Sequence, residues 1–311
     1  MSNALAAMHP TPTASDHLMS HVPAALLSPT DCATYAEQGF LVHDGVFSQT
    51  EVERLRAIVE AQTFADAYKH GERTVHSMSL TTADPALRAL ACDPRIVGRI
   101  VPLLGPDICL QHSKMAAKPL AVGRGPFAWH QDFAFYPHTN TDLLSVMVML
   151  DDADEDNGCM WMVPGSHRLG LLPHHDAAGF FTNGCTGLPL WNLPGATVAI
   201  TPRAGGISIH HALTLHGSPA NASGRPRRGL VFSYRAADAQ QLAHTILPDT
   251  GFLVSGVRSG RVRCTAQTVL LPRWKGDLTQ PHWDAWVQVG SAARTWNVER
   301  GLLPCGSATQ P

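Results

Sequence analysis

The sequence predicts a mainly β protein with flanking helices, its core a double-stranded β-helix of the jelly-roll, cupin-like kind. Helical signals are confined to the first third of the chain. After Pro106 the texture changes to short apolar runs separated by Gly, Pro, Asn and Asp, as in a sandwich or barrel of many short strands. Helices first and strands afterwards fit helices that buttress one outer face of such a core.

Each element follows from local signals. Residues 1–27 are rich in Ala, Pro, Ser and Thr without periodicity, so a flexible leader is expected there. Residues 28–311 are then expected to form a single jelly-roll domain with N-terminal buttressing helices. Ser48-Gln49-Thr50-Glu51 is a capping box, and Val52, Leu55, Ile58 and Val59 follow at helical spacing. Asp93-Pro94 is a cap followed by proline at the first turn. Ile96, Val97, Ile100, Val101 and Leu104 line the buried face of that helix, and Gly105-Pro106 stops it. Pro102 is expected to kink it or end it a turn early. Strands are expected at Ile108–Ala117, Leu143–Leu150, Met160–Val163, Thr197–Ile200, Ile207–Leu215, Gly229–Tyr234 and Thr268–Leu271. No internal repeat is evident.

Bulk properties narrow the class. The 311 residues are 44% hydrophobic and 15% charged, with a net charge of −2. No basic stripe exists, which argues against nucleic acid or an anionic membrane as partner. The seven cysteines are scattered, odd in number and without a Cys-x-x-Cys pair, so a reducing compartment is expected. The N-terminus lacks a cationic start with an apolar run, and no stretch approaches the roughly 20 apolar residues that span a bilayer. The expectation is a cytoplasmic protein, monomer or homodimer, acting on a small molecule.

Candidate chemistry is concentrated in three places. In Trp129-His130-Gln131-Asp132, the imidazole and carboxylate at i and i+2 point to one side of a strand or strand end. Trp129, Phe133, Phe135 and Tyr136 surround them, and polar groups in an apolar recess need partners, of which a metal ion is one. The run from Ile207 to His216 offers His210, His211 and His216. Parity puts His210 and His216 on one face and His211 on the other. Position favours His216, at the rim where the strand meets Gly217-Ser218-Pro219. Two histidines and one carboxylate can occupy one face of an octahedral Fe(II), leaving places for a bidentate cosubstrate and O2. Third, Arg225-Pro226-Arg227-Arg228 precedes a strand expected to pair beside that of His216. Arg227 and Arg228 face opposite ways, so one of them can turn a planar fork inward to a carboxylate.

These motifs, in this order, resemble the phytanoyl-CoA dioxygenase family of Fe(II)/2-oxoglutarate oxygenases. The similarity spans roughly residues 35–240. It includes Gly39-Phe40, Gly105-Pro106-Asp107-Ile108 leading to Lys118-Pro119, Trp129-His130-Gln131-Asp132 with Tyr136-Pro137, Asp156-Asn157-Gly158-Cys159, Val163-Pro164-Gly165-Ser166-His167, and His216-Gly217-Ser218 with Asn221. The resemblance implies His130, Asp132 and His216 as catalytic iron ligands. It implies Arg227, eleven residues past His216, for the distal carboxylate of 2-oxoglutarate, Ser218 as a hydroxyl contact to the same group, and Lys114 as a further cosubstrate-lining residue. Halogenating relatives replace the carboxylate ligand with a small residue; Asp132 is retained here, favouring hydroxylation.

The resemblance therefore implies oxidation of an unactivated C–H bond with Fe(II), 2-oxoglutarate and O2, on a small organic metabolite or natural-product intermediate. Desaturation, epimerisation, ring formation and acyl-CoA hydroxylation are the alternatives within the family. Trp129, Phe133, Phe135, Trp161 and Trp191 are candidate pocket aromatics. Arg124, Arg168 and Lys118 are the cations that a polyanionic acyl-CoA could use. Outside the family stand a Zn(II) or Mn(II) cupin-type isomerase or hydrolase, a non-catalytic binding module, and a nucleic-acid or histone demethylase. The first lacks 2-oxoglutarate decarboxylation, the second would keep the fold but lose iron turnover and is opposed by the intact ligand set, and the third fits poorly with a near-neutral chain.

Overall fold

The computed structural model describes residues 23–61, 75–187, 192 and 195–274. Most of the expected leader lies outside them, as does Trp191. The described end of the leader is not loose. Leu26 N–H donates to Gly98 O at 2.8 Å, and a Cβ on Gly98 would meet Ala24 O at 2.6 Å.

Helices come first. Ser28 caps α1 (Pro29–Gln38) in a capping box with Asp31, a start that the sequence reading did not recognise. Ser48 and Glu51 cap α2 (Gln49–Glu60) as expected. Two short helices, α3 (Leu80–Ala83) and α4 (Pro85–Ala91), precede α5 (Pro94–Leu104), capped by Asp93. Pro102 does not shorten α5. A proline at 102 cannot donate to the carbonyl of residue 98, and that carbonyl instead accepts from Leu26 N–H.

Strands β1 (Phe40–His43), β8 (Ile207–His211), β5 (Leu143–Met149), β10 (Arg227–Ala236) and β3 (Ile108–Lys118) lie side by side, antiparallel. The far edge of β3 is shared: β11 (Phe252–Ser255) pairs with its start and β2 (Val75–Met78) with its end. A second sheet has the order β4 (Phe127–His130), β9 (His216–Ser218), β6 (Met160–Met162), β7 (Val198–Ile200). Together they form the jelly roll.

Alternation divides the larger sheet. Leu144, Val146, Val148, Ile207, Ile209, Leu230, Phe232 and Tyr234 face the helices, packing on Val52, Leu55, Leu87, Ile96 and Ile100. The opposite face carries Met147 and Val231 beside buried Ser145, Ser208, His210, Arg227 and Ser233, polar groups that no core-packing argument explains.

Three strand expectations need correction. Ile207–Leu215 is not one strand. His211 Nδ1 accepts from Leu213 N–H at 3.0 Å and His211 O accepts from Thr214 N–H, so the chain turns and crosses from the large sheet to the small one before His216. Thr268–Leu271 forms no strand among the described residues. The arginine-led strand β10 pairs with β3 and β5, not with the strand of His216.

Candidate metal centre

His130 closes β4, and Asp132 opens the short 3-10 turn that follows it. His216 opens β9 directly opposite His130. Phe127 pairs with Ser218 and His130 with His216, so β4 holds one extra residue between the two pairs. That bulge turns Phe127 and His130 to the same side, where regular alternation would part them.

The ligand atoms of His130, Asp132 and His216 all lie within 4.8 Å of one another, and all three residues are buried. Asp132 Oδ1 is 3.7 Å from His130 Nε2 and 4.0 Å from His216 Nε2. The other ring nitrogens are engaged: His130 Nδ1 meets Ala128 O at 2.8 Å, and His216 Nδ1 meets Thr214 O at 2.9 Å. A carbonyl only accepts, so each Nδ1 carries the proton and each Nε2 presents a lone pair to the centre. Burial, with His130 and His210 close by, holds the His216 imidazolium well below its usual range. Burial alone would raise the Asp132 carboxyl, but the imidazoles of His130, His210 and His216 around it keep it ionised. Two imidazole Nε2 atoms and one carboxylate, converging on one point, suit a divalent first-row metal such as Fe(II).

The second carboxylate oxygen is held from the larger sheet. Asp132 Oδ2 accepts from Ser145 Oγ at 2.9 Å and from His210 Nε2 at 3.2 Å. Ser145 Oγ lies 2.8 Å from Ser233 Oγ, and Ser233, Ser145 and His210 are in register across β10, β5 and β8. His210, the rival histidine of the sequence reading, thus contacts the carboxylate and stands outside the convergent trio. Gln131 clamps the surroundings: its side chain donates to Gly170 O and Leu213 O and accepts from Leu172 N–H. Ser166 braces the approach to His216 by accepting from Leu215 N–H at 2.8 Å, consistent with a scaffold role for its motif.

The centre opens into a cavity whose walls include Lys114, Phe127, Met147, Met160, Ser218 and Arg227. His76 on β2, which no sequence motif marked, also lines it. Arg227 is 4% exposed. Its Nε is buried without a hydrogen-bond partner among the described residues, and burial lowers the guanidinium to about 10. Arg228 faces away. It forks onto Asp151 at 2.8 and 2.9 Å and reaches Glu60 at 2.7 Å. Lys114 is buried in the wall, its ammonium disfavoured by burial and favoured by Asp132.

Several sequence expectations fail here. Trp129 packs with Val163 and Leu215, while Phe133 and Phe135 belong to the core around Tyr136 and Phe181. Trp161 packs against the same Trp129 cluster. The aromatic in the cavity wall is instead Phe127, accompanied by methionines. Lys118 is fully buried and is therefore no cation at the mouth; Arg124 and Arg168 are exposed.

Residues 35–229 match the family model for phytanoyl-CoA dioxygenase (PhyH). Over 229 residues the chain is 32% identical to a probable alpha-ketoglutarate-dependent hypophosphite dioxygenase of Stutzerimonas stutzeri, covering 67% of this chain and 78% of that protein. It is 29% identical to the ectoine dioxygenase of Bordetella bronchiseptica over 237 residues, 68% and 76% of the two chains. Among solved structures, the non-heme alpha-ketoglutarate-dependent carbocyclase SnoK from nogalamycin biosynthesis superposes with a TM-score of 0.59 at 28% identity, covering 71% of this chain and 89% of that one.

Proposed function

Since the chain belongs to the phytanoyl-CoA dioxygenase family, and so is an Fe(II)/2-oxoglutarate-dependent dioxygenase, we propose that His130, Asp132 and His216 hold its iron and that it hydroxylates an unactivated C–H bond of a small organic molecule. The observation that carries this is the convergence of two Nε2 lone pairs and one carboxylate oxygen within 4.8 Å at the floor of a cavity.

Iron, 2-oxoglutarate and O2 together supply the oxidising power: the cosubstrate leaves as succinate and CO2, and the second oxygen atom of O2 goes to the substrate. The chain's own part is placement. Ala128 O and Thr214 O fix the tautomer and tilt of the two imidazoles. Ser145 and His210 hold Asp132 by its far oxygen, which would leave the other oxygen to meet the ion. Arg227 and Ser218 receive the distal carboxylate of 2-oxoglutarate, with Lys114 as a further contact along the same wall. Phe127, Met147, Met160 and Val231 line the cavity beside the metal site and limit stray oxidation there.

The small-molecule reading extends to a cytoplasmic enzyme with one oxygenase domain, monomeric or homodimeric, with no nucleic-acid or membrane partner. Among the described residues no helix is long and apolar enough to cross a membrane. Relatives named for carbocyclisation and epimerisation make ring closure and epimerisation the alternatives to hydroxylation.

The test is succinate release from 2-oxoglutarate under Fe(II), screened across fatty acyl, amino acid and polyketide-like candidates. His130→Ala and Asp132→Ala should each abolish it. Wild-type release in either variant would remove that residue from the centre.

A further inference from the structure

The segment after β11 lies past the end of the family match at residue 229, yet it reaches the back of the metal centre. Residues 257–274 form neither helix nor strand, and 257–271 are exposed except for half-buried Val269. This strap is tied to the body at a few points. Arg263 pairs with Asp238 and Asp142. Thr265 N–H donates to Thr139 O at 2.9 Å, and Phe181 N–H donates to Arg273 O at 2.8 Å. Trp274, at the far end of the strap among the described residues, is 8% exposed. Its indole N–H is buried without a hydrogen-bond partner among the described residues, so ring contacts place it.

Those contacts converge on the segment that carries His130 and Asp132. Trp274 packs on Phe181 with ring centroids 4.7 Å apart and on Phe135 at 6.4 Å. Phe135 and Phe181 meet edge to face at 4.9 Å. Phe135 in turn stands at 87° to the His130 imidazole, 5.5 Å away. Phe181 has a second connection, stacking on His174 with ring planes 13° apart. His174 Nδ1 meets Leu172 O at 2.7 Å and so carries the proton, while Nε2 accepts from Gln131 N–H at 3.0 Å. Leu172 N–H donates to Gln131 Oε1 at 2.7 Å, closing a ring of hydrogen bonds around the residue between His130 and Asp132. Phe181 thus braces the His130 imidazole through Phe135 and the Gln131 backbone through His174, and Trp274 backs Phe181.

We propose that Trp274 is a positioning residue for the metal centre: through Phe181 and Phe135 it holds the His130 imidazole and the bend from His130 to Asp132 in the orientation the ion requires, so that metal binding depends on a strap outside the jelly roll. This rests on the reading of His130 as a ligand. Edge-to-face ring contacts are directional, and the groups behind a ligand set its tilt and hence its hold on the ion.

The experiment titrates Co(II) into the full-length protein without 2-oxoglutarate and reads both affinity and visible d–d absorption. Trp274→Ala should weaken Co(II) about 10-fold and shift the absorption bands. Trp274→Phe keeps a ring against Phe181 and should return affinity to within about twofold of wild type. Leu87→Ala is the control. Leu87 is 0% exposed in the core between the large sheet and the helices, so its truncation lowers Tm and should leave Co(II) affinity and spectrum unchanged. Wild-type affinity and spectrum in Trp274→Ala overturn the proposal. So does a loss of Co(II) in Leu87→Ala equal to that in Trp274→Ala, since the ion then follows stability alone. Should Trp274→Ala fail to fold, Trp274→Leu, which fills more of the space without a ring, decides by the same two readings. His130→Ala separates the two levels. If it removes Co(II) while Trp274→Ala keeps it, only the brace fails. If His130→Ala keeps Co(II) too, the placement of the ion itself is wrong.

Discussion

Arg227 and Arg228 are adjacent in sequence, both buried, and should fail in opposite ways when replaced. Arg228 forks onto Asp151 and also reaches Glu60. Breaking a buried pair from one side strands the other charge, at roughly 3–5 kcal/mol. Asp151 would keep Arg56 at 3.4 Å and the residue 228 backbone N–H, so the lower figure, about 3 kcal/mol, applies to Arg228→Ala. For a domain of this size that is roughly 6–12 °C in Tm. Among the described residues Arg227 has no such partner, so Arg227→Met removes an uncompensated buried cation and should leave Tm unchanged or raise it. The same replacement should weaken 2-oxoglutarate by about 2–4 kcal/mol, roughly 30- to 1,000-fold in Kd, whereas Arg228→Ala should stay near wild type. Thermal melts and calorimetric titration of the Mn(II)-loaded protein read both quantities. A large Tm loss for Arg227→Met with intact 2-oxoglutarate binding would refute the division of labour.

Two further outcomes follow from the buried polar groups. Ser145→Ala combined with His210→Leu frees the far oxygen of Asp132 and should weaken Co(II) binding about 10- to 100-fold; unchanged affinity would show that the sheet does not orient the carboxylate. His112, His138 and His211 are pushed down by burial to about 3, 4 and 3. With folded values below the unfolded one, near 6.5, the unfolded chain takes up protons first as pH falls. Their stabilisation is therefore complete above about pH 6.5 and is lost towards pH 4, about 1.4 kcal/mol each at pH 5.5. Urea melts at pH 7.5 and 5.5 should show this loss, and His138→Gln should shrink it by one such increment; an identical acid slope in the variant would exclude His138.

Much of this was legible because its causes are local. A serine three residues before a glutamate starts α2, and Asp93-Pro94 starts α5, whatever the rest of the chain does. The opposed roles of Arg227 and Arg228 follow from strand parity, and their burial completes the picture. What could not be read depends on partners distant in sequence. Pro102 sits inside α5 because Leu26, 76 residues earlier, serves the carbonyl it abandons. The alternation from Ile207 to His216 looks like one strand, yet the His211 side chain folds a turn into it. Sequence parity leaves His210 open as a ligand because it cannot see that Asp132 meets it and that Ser145 stands opposite it. The aromatics flanking His130 went to the core because the bulge in β4 brings Phe127 into the wall instead.

The crossing of the chain between His211 and His216 has a mechanical result. Both imidazoles of the trio hang from the small layer, while their acid is gripped at its outer oxygen by the large one. A bound ion would therefore act as a rivet through both layers, with Asp132 as its shank. Prising the layers apart would mean shearing either the metal bonds or the grip on Asp132, so loosening of the sandwich and escape of the ion become a single event.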